Sequence, residues 1–301
     1  MKVNYSQLPV DTIKGRNRDI AVFSTDGQNI DHTVVKSFGD EWLKFQDFPD
    51  HTIDRIAEEY FDIIDSSIVN KDTYAMDVGC GTGRWTKYLS KTAGFIEAVD
   101  PSDALIAADN LLGTSIQNVR LSKASTDNLP FADETFDFIM SVGVLHHIPD
   151  TQKAMQDCVK KLKKGGHFYC YLYYNLDSRG KLFKTVFFFS DMIRRVVSPL
   201  PSTVKKIVTD LLAVIIYMPF VLTVRFLRFV GLKKLANWIP LSSYHNKSFF
   251  VIRNDSLDRF GTKLEHRFSK QEVEEMMKNC GLTNIVISPN TPYYHAVGKK
   301  K

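Results

Sequence analysis

Cysteine is scarce in this chain. The four present (Cys80, Cys158, Cys170, Cys280) among 301 residues lie far apart and form no C-x-x-C pair. This excludes a disulfide-stapled scaffold and the common zinc frameworks, and fits reduced thiols in a cytoplasmic protein. The eight histidines show no metal-ligand spacing, so no metal site is predicted. Met1–Asp11 is polar, with no apolar stretch that would read as a secretory leader. Repeats and low-complexity tracts are absent. Overall charge is nearly balanced at +5, but between Leu176 and Pro240 eleven Lys or Arg face three Asp. The basic character therefore belongs to one segment, which argues against a nucleic-acid surface spread over the rest. The longest wholly uncharged apolar run in that segment, Leu211–Val224, is bounded by Asp210 and Arg225. It is too short for a membrane crossing, and Pro219 is expected to kink it.

What is present is a change of pattern along the chain. Residues 1–70 read as a helical N-terminal segment, with helical spacing of Ile53, Ile56, Tyr60, Phe61, Ile63 and Ile64 and an aromatic group from Phe38 to Phe45. From residue 74 short strands alternate with helices: strands at 74–78, 95–99, 119–122, 136–142 and 167–174, helices near 82–92, 104–112 and 150–162. The last of these helices is expected to close on Lys163-Lys164-Gly165-Gly166. Such alternation implies βαβ units and a parallel sheet. Ser269-Lys270-Gln271-Glu272 is a capping box that opens a final helix, and strands follow near 283–288 and 293–297.

The sharpest local signal is Asp77-Val78-Gly79-Cys80-Gly81-Thr82-Gly83-Arg84, a strand ending in an acidic residue and then G-x-G-x-G. Glycine permits the tight turn and lets main chain approach a ligand, with free N–H groups expected at the following helix start. The dinucleotide fingerprint G-x-G-x-x-G fails in either register, because its last position falls on Arg84 or Thr86. A nicotinamide-dependent oxidoreductase is the weaker alternative on this ground. Asp100 ends the second strand and could accept both ribose hydroxyls of a nucleoside.

With the third-strand loop Ser125-Thr126-Asp127-Asn128-Leu129-Pro130-Phe131 and the fourth-strand stretch Ser141 to Asp150, the chain resembles the class I S-adenosylmethionine (SAM) methyltransferases, type 11 or UbiE-like branch. The resemblance covers roughly residues 74–174 and a fitting C-terminus. It implies an α/β, Rossmann-like, seven-stranded and mostly parallel sheet with helices on both faces, plus the helical N-terminal segment and a helical cap insertion. The implied organisation is 1–70, a SAM-binding core at 71–175, a basic-apolar cap at 176–268, and 269–301 as the last helix and strands of the core. Cofactor contacts are implied at Asp77, Gly79, Cys80, Gly81, Gly83, Asp100, Pro101, Ser125, Thr126 and Ser141. Relatives usually carry Asp where this chain has Ser125, which removes the acidic adenine contact. A catalytically silent SAM-binding or membrane-surface scaffold remains an alternative for that reason.

Methyl transfer to oxygen needs a proton acceptor, for which His146, His147, Tyr244, Asp255 and Glu265 are candidates. The expected acceptor is a small molecule, a sugar or a lipid-linked group. The arrangement F-G-x-E-W-x-x-F, with Tyr173-Tyr174-Asn175 after the fifth strand, also resembles bacterial methyltransferases of surface-polysaccharide pathways. The insertion has two readings: a buried helical cap or homodimer contact, or a peripheral contact of residues 205–234 with the inner face of an anionic membrane. The charged and aromatic stretch Arg253–Phe268 reads equally as an acceptor-facing wall or as internal ion pairing, for instance Asp258 with Arg267.

Overall fold

The computed structural model describes residues 3–44, 49–175, 181–290, 292 and 294–301; Phe45 and Tyr293, which the sequence patterns include, lie outside them. The chain forms two compact units, Met1–Asn175 with Leu264–Lys301, and Leu176–Lys263.

The first unit is built on nine strands: β1 (Asp11–Lys14), β2 (Asp19–Val22), β3 (Tyr74–Val78), β4 (Phe95–Asp100), β5 (Val119–Lys123), β6 (Phe136–Val142), β7 (Leu162–Tyr171), β8 (Leu282–Ile287) and β9 (His295–Lys300). Their order across the sheet is β1-β2-β5-β4-β3-β6-β7-β9-β8. The β2–β5–β4–β3–β6–β7 stretch is parallel, while β1, β9 and β8 enter antiparallel to their neighbours. Every residue of β3 is buried, as a central strand covered on both faces demands. Its side chains alternate between two apolar layers. Tyr74, Met76 and Val78 join Met155, Cys158, Val273 and Met277, whereas Ala75 joins Ala57, Trp85, Leu105 and Leu112. Among the described residues, the helices before the insertion are α1 (His32–Lys44), α2 (Asp50–Tyr60), α3 (Arg84–Leu89), α4 (Ala104–Leu112) and α5 (Thr151–Lys160).

The sheet departs from the seven-stranded expectation because residues 1–70 are not all helical. The β1–β2 hairpin adds two strands at one edge, where Ala21 pairs with Ser122 and Val22 with Lys123. Two four-residue strands leave too little periodicity to register in the sequence. Arg120 in β5 makes a buried pair next to this edge: its guanidinium donates to both carboxylate oxygens of Glu97 at 2.7 Å, and Tyr74 donates to the same carboxylate at 2.5 Å. A second departure is at Lys163-Lys164-Gly165-Gly166. These residues lie inside β7, since α5 ends at Lys160 and Leu162 already pairs with Phe136.

The second unit contains α6 (Lys181–Val197), α7 (Ser202–Leu212), α8 (Met218–Phe229), α9 (Lys233–Trp238) and α10 (Phe249–Gly261). A π-type turn at Ala213–Tyr217 joins α7 to α8, so Ser202–Phe229 is one helix of 28 residues. A four-residue repeat would drift around an ideal helix of 3.6 residues per turn. The wider turn offsets that drift, keeping Lys205, Thr209, Ala213, Tyr217 and Val221 buried together. It also precedes Pro219, and the helix runs on through the proline instead of ending there. Ala213, Tyr217 and Val221 pack with Val197, Ile252 and Phe260 as this unit's own core.

The chain then returns to the first unit five residues earlier than the sequence suggests. His266 donates its backbone N–H to His146, and Phe268 donates to Tyr173. The last helix, α11 (Lys270–Asn279), begins with both halves of the capping box, Ser269 and Glu272, in place.

Candidate functional site

The loops after β3, β4, β5 and β6 gather at the C-terminal ends of the parallel strands. Gly79, Gly81 and Gly83 all adopt positive φ (+78°, +53° and +76°), which any side chain would strain. Space is equally restrictive at Gly79, where a Cβ would sit 2.5 Å from the Val144 methyls. The amides behave differently from the expectation of free donors. Gly79 and Cys80 donate to the Val99 carbonyl, Gly81 to Asp100, and Gly83 to the Cys80 carbonyl. The helix that follows, α3, has only six residues. The glycines therefore serve shape, not anion capture.

Asp77 is almost fully buried and accepts the Thr86 hydroxyl at 2.6 Å, tying the end of β3 to α3. Burial outweighs that bond and pushes its carboxyl up to about 7. Asp100 is also buried. Its Oδ1 accepts from the Ser102 N–H at 2.8 Å and hydroxyl at 2.6 Å, and its Oδ2 from Gly81 N–H at 2.9 Å. Burial raises its pKa, opposed by the Ser102 bonds. Three bonds leave acceptor capacity on a carboxylate with about four lone-pair sites. Pro101, next in the chain, is half-buried. Ser141 donates to the Val78 carbonyl at 2.9 Å and so joins β6 to β3. The Cys80 thiol is buried, and burial raises its pKa well above normal.

At the third loop, Ser125 and Thr126 are both buried. The Ser125 hydroxyl donates to Asp127 Oδ1 at 2.5 Å, while Asp127 Oδ2 accepts from Asn29 N–H at 3.0 Å. A carboxylate therefore does stand at this loop, two residues beyond the position where relatives carry one, and it is committed to local bonds.

Helix α1 crosses these loops. The Gly81 α-carbon faces Trp42, whose indole Nε1 would lie 3.5 Å from an added Cβ. Arg84 packs over Trp42 and Trp85, with its guanidinium carbon 5.3 and 4.7 Å from the ring centroids. Gly39 approaches Ser102 closely, and Phe38 packs at a tilt against His147, ring centroids 4.8 Å apart. The aromatic cluster was visible in the sequence, but nothing local named the loops it covers.

The fourth loop carries His146 and His147 on a 3-10 turn after β6. His146 is fully buried, stacked at 3.9 Å on Tyr173. Neither of its ring nitrogens has a hydrogen-bond partner among the described residues. Burial, then the neighbouring His147, holds its pKa well below the usual value. His147 Nδ1 lies 2.8 Å from the Leu264 carbonyl. A carbonyl only accepts, so the proton sits on Nδ1 and Nε2 carries the lone pair. Burial brings this ring down to about 4 despite the Leu264 bond. The returning segment adds Glu265 and Arg267, joined at 2.7 Å. Arg267 also donates to the Tyr174 carbonyl and covers the Tyr173 ring. Glu265, His266 and Arg267 thus join the fourth loop through long-range pairing that no sequence spacing announces.

Tyr244 and Asp255 belong to the second unit. Asp255 accepts the Tyr244 hydroxyl at 2.6 Å and the Tyr217 hydroxyl at 2.7 Å. Burial and then Asp255 push both phenols well above their normal range, so neither ionises near neutrality. Among the described residues no cluster of His, Cys, Asp or Glu could hold a metal ion.

Residues 76–170 match a family described as a methyltransferase domain. Over 105 residues the chain is 35% identical to the demethylmenaquinone methyltransferase of Staphylococcus aureus, a match covering 34% of this chain and 44% of that protein. The chain thus spans less than half the length of the curated relatives it matches. Among solved structures it is similar to the YcgJ protein of Bacillus subtilis, with 16% identity, a TM-score of 0.46 and coverage of 77% of this chain and 70% of that one. A SAM-dependent methyltransferase from Aquifex aeolicus gives 14% identity, a TM-score of 0.45, and coverage of 84% and 98%.

Proposed function

Because residues 76–170 of this chain form a class I SAM-dependent methyltransferase domain of the type 11 branch, with SAM as its cofactor, we infer that the protein transfers a methyl group to a hydroxyl of a small or lipid-linked acceptor. The observation that carries this is the arrangement of the loops: three left-handed glycines, the Asp100 carboxylate with acceptor capacity to spare, and Trp42 over Gly81. The relative's name, a quinone methyltransferase, supports a lipid-like acceptor.

When bound, SAM supplies a methyl group on a positively charged sulfur, the electrophile for an in-line displacement. Asp100 is suited to accept a ribose hydroxyl on its remaining lone-pair site, and Ser125 and Thr126 to flank the adenine. Asp77 keeps the glycine turn seated by its bond to Thr86. Fixed loops of this kind contribute mainly alignment, up to roughly 7–11 kcal/mol in well-oriented reactions. His146 and His147 supply neutral imidazole at physiological pH, because burial disfavours the charged form. A neutral ring with a free lone pair can take the acceptor's hydroxyl proton as the new carbon–oxygen bond forms, and His147 Nε2 is oriented for this by the Leu264 carbonyl. The unpartnered nitrogens of buried His146 support the same role, since a buried polar atom without a partner carries a cost that a ligand would relieve.

Calorimetric titration with S-adenosylhomocysteine tests the reading. Wild-type protein should bind saturably and Asp100→Ala at least roughly tenfold more weakly, the loss of about 1.4 kcal/mol expected from one or two charge-assisted bonds. Absence of saturable binding by the wild-type protein would sink it. Release of S-adenosylhomocysteine on adding fractionated lipid or polar extracts then identifies the acceptor class.

A further inference from the structure

The second unit carries an apolar face that its own packing leaves uncovered. Along the Ser202–Phe229 helix, Ile207, Leu211, Ile215, Leu222, Phe226 and Phe229 are exposed and recur at intervals of three, four or seven. They form a stripe about 33 Å long at 1.5 Å per residue. Two large aromatics mark its far end, Phe229 at 89% exposure and Trp238 of α9 at 80%. Phe188, Phe189 and Val196 of α6 are likewise exposed. Isolated exposed hydrophobes are ordinary on a protein surface, but a continuous stripe of this size marks a contact site.

Charge says what the contact is. Leu176–Lys263 holds fifteen Lys or Arg and five Asp, a net charge of +10, whereas the rest of the chain sums to −5. The arginines beside the stripe bond to neutral partners. Arg225 donates to the carbonyls of His245 and Lys247, and Arg228 to the side-chain oxygen of Asn237, all neutral partners. Lys233 and Lys234 are exposed between Phe229 and Trp238. A second copy of the chain would bring the same positive rim against itself, whereas an anionic lipid surface complements it and accepts aromatic side chains at the headgroup level.

We propose that the exposed face of Ser202–Phe229 and α9 docks peripherally on an anionic phospholipid bilayer, with Phe229 and Trp238 inserted among the headgroups and Arg225, Arg228, Lys233 and Lys234 against the lipid phosphates. The helix lies in the interface and does not cross it. Its opposite side is engaged by this unit, through the Asp210–Arg253 ion pair and the Tyr217–Asp255 bond. An amphipathic helix with aliphatic and aromatic residues on one side and basic flanks is the composition that settles in the plane of a membrane. The inference stands apart from methyl transfer.

Flotation of the full chain with vesicles of phosphatidylcholine, with and without phosphatidylglycerol, tests it. Wild-type protein should float with the phosphatidylglycerol vesicles, stay behind with phosphatidylcholine alone, and be released by salt or alkaline carbonate. Lys233→Gln with Lys234→Gln should weaken binding roughly fivefold per charge, about twenty-fivefold together. Phe229→Glu with Trp238→Glu should abolish it. S-adenosylhomocysteine titration of both variants, unchanged from wild type, shows that the fold and the cofactor site are intact. The proposal is overturned if wild-type protein fails to float on anionic vesicles or if the aromatic variant floats equally well. Retention after carbonate extraction overturns it in favour of a span. Self-association that only Phe229→Glu with Trp238→Glu abolishes, without vesicle binding, assigns the face to a second copy.

Discussion

Asp77→Asn should remove a pH dependence from folding stability. The carboxyl is buried beneath the glycine turn and pushed up to about 7, against an unfolded value of about 4. The folded chain therefore holds this proton more tightly than the unfolded chain. The stabilisation is complete below pH 4 and is lost as pH rises through 7. Integrated from about pH 5 to about pH 8, the loss is roughly 2–3 kcal/mol. At pH 5 the carboxyl is protonated and close in shape to an amide, and an Asn Oδ1 can still accept the Thr86 hydroxyl. Wild type and variant should then match below about pH 4, where both states are protonated, and the variant's advantage should grow by that amount between pH 5 and pH 8. His146 and His147 titrate in the opposite sense, their depressed values making stability rise with pH toward 6.5, but they are present in both proteins and cancel in the difference. Urea unfolding without cofactor, followed by tryptophan fluorescence at both pH values, reads the comparison. Equal pH dependence in the two proteins would refute the argument, and a variant weaker at pH 8 would mean that ionised Asp77 is stabilising.

Arg120→Met should cost roughly 3–5 kcal/mol in urea unfolding, because it strands a fully buried Glu97; adding Glu97→Met should recover most of it. Gly81→Ala should lose about 1–2 kcal/mol from its φ of +53°, and S-adenosylhomocysteine titration should show weaker binding as the loop shifts beneath Trp42.

The glycine turn was legible because its constraint is local. Glycine is demanded by φ at three positions of one turn, so the spacing of Gly79, Gly81 and Gly83 marks that turn in the sequence. The edge hairpin was not, since Asp11–Lys14 and Asp19–Val22 are short and draw their pairing from β5. Lys163 to Gly166 carried a helix-ending composition, yet pairing of Leu162 and His167 with β6 on either side drew it into a strand. The roles of Trp42, Asp127 and Leu264 depend on contacts made far along the chain. The uncharged run Leu211–Val224 was evident, but which of its sides would be buried turned on the π-type turn, which leaves no compositional mark.

The chain leaves the first unit after Asn175 and rejoins it at Leu264, and both ends are held by that unit: Asn175 donates to the Phe268 carbonyl, and Tyr174 bridges to Phe268. Departure and return are thus neighbours on one strand pairing. Such a junction works as a graft point: segments of different length and chemistry can be exchanged there in descent or by recombination without re-registering the sheet. A lineage could acquire a new acceptor, or a new place in the cell, while its cofactor chemistry is inherited unchanged.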